Sequence, residues 1–247
     1  MLFLNYLIII LDSCRYDVFL EADTPFLDSI GTLYKGYTIT NWTPTSFIAF
    51  FGHGMFPYIE GNPNLKYYPR QSFNYLRNLV QYYKIMYTGM PYLSPYNIAI
   101  KGLIDLFDKY KFFNHIDIIS DTRLYYKLDT MKYTDIPLYT VIWTGETHQP
   151  YSTRNNMTRD WRGQLLQDYW KGITDIEPEY FQYLRDRQRQ MIEYIDRELS
   201  RYKISENTVF ILTADHAECL GEDHLYGHGI KPHIKQFEVP VVYGVID

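Results

Sequence analysis

The run Thr208–Gly229, TVFILTADHAECLGEDHLYGHG, constrains this chain more than any other. Val209 to Leu212 is apolar and rich in β-branched residues, which predicts a buried strand. Asp215, His216, Glu218, Glu222, Asp223, His224 and His228 then crowd into a short polar segment that breaks at Gly221. Open α/β sheets gather ligands at the C-terminal ends of their strands. Adjacent Asp and His supply a hard anionic oxygen and a neutral nitrogen, a pair suited to a divalent metal. A polar surface loop behind a core strand would use the same residues.

Two further apolar runs end the same way. Tyr6 to Leu11 predicts a central strand that delivers Asp12, a metal-ligand candidate that also fits a helix N-cap. Pro137 to Trp143 predicts a buried strand followed by TGETHQPY, which places Glu146 and His148 beyond its end. His148 can donate to an oxygen of an anionic group or protonate a leaving group; a histidine that stabilises a turn before Pro150 fits as well. The N-terminal MLFLNYLIIILD lacks a basic region and a cleavage site and is too short to span a bilayer. Cys14 and Cys219 are too few for a disulfide framework. Both features lead us to expect a cytoplasmic, reduced protein without a membrane span.

Between these runs lies GYTITNWTPTSFIAFFGHGMFP. Proline favours the first turn of a helix and threonine caps one well, so Thr43 is expected at a helix N-terminus. Free amides and the helix dipole favour an anion there. A hydroxyl in that place can act as a nucleophile if a metal lowers its pKa, or it can simply be a cap.

The remaining chain is read more coarsely. Helical spacing is expected over Pro25–Ile30, Tyr67–Tyr83, Ile98–Phe107 and Pro178–Arg201, and strands over Lys84–Thr88, His115–Ile119 and the closing VPVVYGV. The long helix presents Phe181, Leu184, Gln188, Met191, Ile192, Ile195 and Leu199 on one face. Its charged residues Arg185, Arg187, Arg189, Glu193 and Asp196 are expected in solvent. Residues 151–177 carry Arg154, Arg159, Trp161, Arg162, Tyr169, Trp170 and Lys171, which suits a binding lid or a surface excursion. Arg15 either pairs with Asp17 or contacts substrate. A net charge of −5 provides no basic field for nucleic acid. We read residues 1–247 as a single domain.

In order and spacing, LDSCRYD, NWTPTSFIAFFGHGMFP, THQPY, TADHAECLGE and YGHG followed by EVPVVYG resemble the alkaline phosphatase/sulfatase superfamily. The resemblance implies an α/β fold, an alkaline-phosphatase-like three-layer sandwich with a mostly parallel central sheet and helices on both faces. Many relatives continue into a C-terminal subdomain, whereas residues 1–247 are expected to form a single sulfatase-like catalytic domain without an extended one. It implies one divalent metal ion (Mn2+, Zn2+, Mg2+ or Ca2+) held by Asp12, Thr43, Asp215 and His216, with Thr43 as nucleophile. His148 and His228 match positions that contact the charged group of the substrate, with Arg15 and Lys231 as further candidates. In the family the nucleophile is followed by x-Pro-Ser; here the proline is displaced by one position, which leaves Thr45 as an alternative. Ser13 stands where many sulfatases have a second acid, so the pattern is similar to the one-metal, threonine-nucleophile site of lipoteichoic acid synthases. Threonine carries a methyl on Cβ and cannot become formylglycine, the aldehyde of true sulfatases. The expected activity is therefore a metal-dependent hydrolase or transferase of phosphate esters, through a covalent threonine intermediate, on a small anionic ester or a glycan or lipid headgroup. The alternatives are a sulfatase, a two-metal phosphodiesterase, and a degenerate domain that binds an anion or glycan.

Overall fold

The computed structural model describes residues 4–247 apart from 62, 64, 122–135, 154–161 and 230. Its centre is an eight-stranded sheet, in spatial order β3 (Tyr58–Ile59), β2 (Thr32–Tyr37), β10 (Glu238–Ile246), β7 (Thr208–Ala214), β1 (Asn5–Leu11), β6 (Leu138–Thr144), β4 (Tyr83–Thr88) and β5 (Lys109–Phe112). The five strands from β7 to β5 are mutually parallel, whereas β10 runs antiparallel to both β7 and β2. The remaining strands, β8 (Cys219–Leu220) and β9 (Tyr226–Gly227), pair separately.

Strand alternation divides the core into two layers. Leu7, Ile9 and Leu11 pack with Phe210, Leu212 and Ile142 on one face, under Ile192, Ile195 and Leu199 of the Pro178–Leu199 helix and Val18, Phe19 and Leu27 of two short helices. Ile8 and Ile10 turn to the other face with Val141, Trp143, Val209 and Ile211, under Phe47, Phe50 and Phe51. Those phenylalanines belong to the Thr43–Phe47 helix and the π-helical turn Ile48–Gly52 that continues it. A parallel sheet covered on both sides has no polar face, so its central strands read as unbroken apolar runs.

Register aligns the strand ends. Leu11 lies opposite both Thr144 and Ala214, and the amides of Asp12 and Asp215 continue the ladder to the carbonyls of Thr144 and Leu11. The polar residues that follow β1, β6 and β7 therefore emerge together at one edge of the sheet.

The structure differs from sequence periodicity in four places. Only Tyr75–Asn78 of 67–83 is helical; Asn74 adopts a left-handed conformation just before it, and Phe73 and Val80 point to solvent. Of 98–107, Lys101–Ile104 forms the helix and Ile98 is exposed. The strand expected at His115–Ile119 lies earlier, at Lys109–Phe112. Residues 115–119 instead form a loop, fixed where Gly145 N donates to Ile116 O and Ile119 N donates to Glu146. This loop passes Gly89 so closely that a Cβ there would overlap the His115 carbonyl. Lastly, Asp196 is buried on the long helix, where it accepts from the amides of Phe26 and Leu27 and so caps Pro25–Ile30. Arg185 bridges Asp17 and Glu21. Arg154, Arg159 and Trp161 lie outside the described residues, while Arg162–Lys171 includes the helix Gly163–Trp170.

Replacing Asp196 by Ala leaves two helix-terminal amides without an acceptor. We expect a loss of about 1–3 kcal/mol, read from the denaturation midpoint. Glu146 is fully buried, and that burial raises its pKa to about 7. The unfolded value is about 4.3, so the folded chain binds the extra proton between these limits. The contribution of Glu146 to stability is whole below the unfolded value and is lost as pH rises through 7. Glu146→Gln should flatten the pH dependence of stability across that window.

Candidate metal centre

Four residues from three distant segments meet at the aligned strand ends. Asp12 follows β1, Asp215 and His216 follow β7, and Thr43 opens the helix that covers the second face. Trp42 is the cap of that helix and Thr43 its first residue, so the threonine side chain is free to turn inward. Thr43 Oγ1 lies 3.1 Å from Asp12 Oδ2 and 3.4 Å from His216 Nε2. His216 Nε2 is 3.3 Å from Asp215 Oδ2 and 4.0 Å from Asp12 Oδ1. All four residues are buried. Thr45, the alternative, is exposed and its hydroxyl donates to Trp42 O.

The donor set fits a divalent cation. Ligand atoms of Asp12, Asp215 and His216 lie within 4.8 Å of one another. Asp215 Oδ1 accepts from the amides of Ser13 and His216, but its Oδ2 is buried without a hydrogen-bond partner. His216 Nδ1 donates to Ala217 O, which leaves Nε2 with a lone pair aimed at the carboxylates. Burial, then the charge of Asp12, pushes the Asp215 pKa well above the usual carboxylate range. Burial lowers that of His216 to about 4, so its ring is neutral. Two crowded carboxylates with one orphaned oxygen and a neutral imidazole are an arrangement that a cation relieves.

Histidines extend the site outward. The ring of His228 lies 4.2 Å from that of His216 and 5.6 Å from that of His148, centroid to centroid. Burial and its two histidine neighbours hold the His228 pKa well below its ordinary value, and its Nδ1 is buried without a hydrogen-bond partner, 3.9 Å from Glu218 Oε2. Burial opposes charge on His148 too, but Asp12 and Glu218 outweigh it and raise its pKa. His148 Nδ1 donates to Gln149 O. A cleft of about 180 Å³ opens beside these rings, lined in part by Trp170, Gln149 and Tyr226.

Other expectations are corrected. Arg15 is 1% exposed and its guanidinium pairs with Asp17 at 2.8 Å and Glu222 at 2.6 Å while donating to Glu218 O. It ties the loops after β1 and β7 together rather than facing a substrate. Glu222 is its partner, and Glu146 serves the 115–119 loop. Lys231 is exposed beyond His228. His115 reaches Asp117 and Asp121. Sequence reasoning missed the supports. Ser13 takes a positive φ that turns its amide to Asp215, and Gln188 sits among the site loops. The latter was signalled only as a polar residue on an apolar helix face.

A family model described as Sulfatase matches residues 30–243. No curated protein sequence gives a match. Among solved structures, the C-terminal periplasmic domain of phosphoethanolamine transferase EptC from Campylobacter jejuni superposes with a TM-score of 0.64 at 13% identity, covering 98% of this chain and 79% of that one. The corresponding EptC domain from Escherichia coli, in complex with Zn, gives 0.62 at 13%, covering 99% and 73%. Lipoteichoic acid synthase LtaP from Listeria monocytogenes gives 0.57 at 10%, covering 98% and 65%. The expected alkaline-phosphatase-like α/β fold is the one such neighbours share.

Metal titration followed by thermal unfolding should show opposite effects in two proteins. Zinc or manganese at 100 times its Kd should stabilise the native chain by about 2.7 kcal/mol. Asp215→Asn should unfold at a higher temperature than the native chain when both are metal-free, because it removes a buried like charge. The same variant should lose the metal-dependent gain.

Proposed function

This chain belongs to the sulfatase family, and we propose that it is a metal-dependent hydrolase or transferase of phosphate esters that uses Thr43 as its nucleophile. The observation that carries the proposal is the Thr43 hydroxyl, buried within hydrogen-bond reach of Asp12 and His216 beside the orphaned Asp215 oxygen. Asp12, Asp215, His216 and Thr43 would hold the ion. A divalent cation bound there lowers the pKa of the threonine hydroxyl and offsets the charge of an anionic ester.

The residues of the chain divide the remaining work. Thr43 Oγ1 attacks phosphorus, forming one P–O bond as the ester P–O bond breaks. Its proton passes along the hydrogen bond to Asp12 Oδ2. His148, with its raised pKa, protonates the departing alcohol oxygen. His228, neutral, donates to a non-bridging oxygen. Water or an acceptor alcohol then attacks phosphorus and gives its proton to His148 as the P–Oγ1 bond breaks, and Thr43 takes its proton back from Asp12. The phosphoethanolamine transferase and lipoteichoic acid synthase neighbours keep transfer to an alcohol within the proposal beside hydrolysis. The methyl on Thr43 Cβ argues against formylglycine chemistry.

Thr43→Ala should lower turnover of a phosphate diester by at least about 10³-fold, while the metal-free chain still folds, about 1–3 kcal/mol less stable for loss of the hydroxyl that donates to buried Asp12. Thr43→Ser should retain part of the activity. Mass spectrometry of acid-quenched native enzyme should find phosphate on Thr43. An active Thr43→Ala variant, or phosphate on another residue, would refute the assignment.

A further inference from the structure

The long helix reaches the site through one residue. Gln188 stands on the apolar face of Pro178–Leu199 and is fully buried. A buried amide is tolerated only when its polar atoms are matched. Here they are matched entirely by the site loops. Gln188 Oε1 accepts from Arg15 N at 3.2 Å. Its Nε2 lies 3.0 Å from Ser13 O and 3.0 Å from Thr147 O, with Glu218 Oε1 at 3.4 Å. An amide nitrogen has two hydrogens, and the two carbonyls take them.

Three segments meet at this amide: the turn after β1 that carries Asp12, the loop after β6 that carries His148, and the stretch after β7 that carries Glu218. The metal-ligand candidates have other supports. Asp12 and Asp215 are fixed by ladder amides, and His216 by Ala217 O. His148 lies in a loop past the end of β6, and among the described residues two side chains tie that loop to the Asp12 turn by hydrogen bonds. One is Gln188; the other is Thr147 Oγ1, which donates to Asp12 O at 2.7 Å. We propose that Gln188 is a positioning residue: it clamps the Asp12–Ser13 turn to the Thr147–His148 loop and so sets the placement of His148 relative to Asp12 and Thr43. Its role in turnover rests on the phosphate-ester reading above, whereas the clamp itself does not.

The test uses the metal-loaded chain and two near-isosteric variants, Gln188→Met and Thr147→Val, each of which cuts one tie. A displacement of the order of 1 Å at a reacting group costs up to roughly 10²-fold in rate. Each folded variant should lose about 10- to 100-fold in kcat on bis(p-nitrophenyl) phosphate, with KM and the Kd for manganese changed by less than about threefold. Thr147→Ser should recover most of the Thr147→Val loss. A purely structural role would instead lower kcat, metal affinity and thermal stability together. That outcome, or a kcat within about twofold of the native value, overturns the proposal. If Gln188→Met does not fold, Thr147→Val and Thr147→Ser carry the test. If the native chain turns over neither phosphate nor sulfate esters, the phosphate-ester reading fails and orthovanadate binding becomes the readout. Vanadate affinity lost about tenfold with manganese affinity retained would sustain the clamp; unchanged vanadate affinity would sink it.

Discussion

Two carboxylates buried side by side are the constraint from which the rest of this molecule follows. Asp12 and Asp215 close adjacent strands in the middle of the sheet, and each is excluded from water. Like charges in that position are costly unless something compensates them. The protein compensates in part with backbone amides, through Ser13 N and His216 N, and with the hydroxyl of Thr43. One oxygen remains unmatched. The proposed function completes this set with a cation and takes the Thr43 hydroxyl beside it as the nucleophile.

Charge of the opposite sign is kept one step away. Arg15 is buried nearby, but Asp17 and Glu222 neutralise it, and Arg185 and Lys235 also reach Asp17. This network joins the loops after β1 and β7 without lending its positive charge to the carboxylate pair. Had Arg15 pointed at Asp12 or Asp215, an internal salt bridge would compete with metal. The arrangement explains why an arginine three residues from the candidate ligand Asp12 is architectural.

The central strands were legible because their faces are both covered, so composition alone marks Tyr6–Leu11, Pro137–Trp143 and Val209–Leu212. The residues at their ends were legible for the same reason: a polar residue that ends such a run must lie at the sheet edge. The helices around them were harder to read. Apolar spacing over Tyr67–Tyr83 is satisfied with a single helical turn, because Leu76 fills the core while Phe73 and Val80 do not. His115–Ile119 is apolar in alternation, yet side-chain and backbone partners far along the chain hold it as a loop. Asp196 and Gln188 could not be read from the helical pattern, since the partners that justify their burial lie on other segments: Phe26 and Leu27 for Asp196, and Ser13, Arg15 and Thr147 for Gln188.

The place of β10 has a kinetic consequence. This strand sits between β7 and β2, both of which precede it in the chain. Until residues 238–246 arrive, β7 presents an open edge on the side that β10 will occupy. Its pairing with β2 joins residues 32–37 to residues 238–243; contacts that distant in sequence form slowly, and unpaired edges invite association with other chains. The nascent polypeptide therefore carries Asp215 and His216 on an unfinished sheet for a time, and the interval before closure is when a chaperone would matter most.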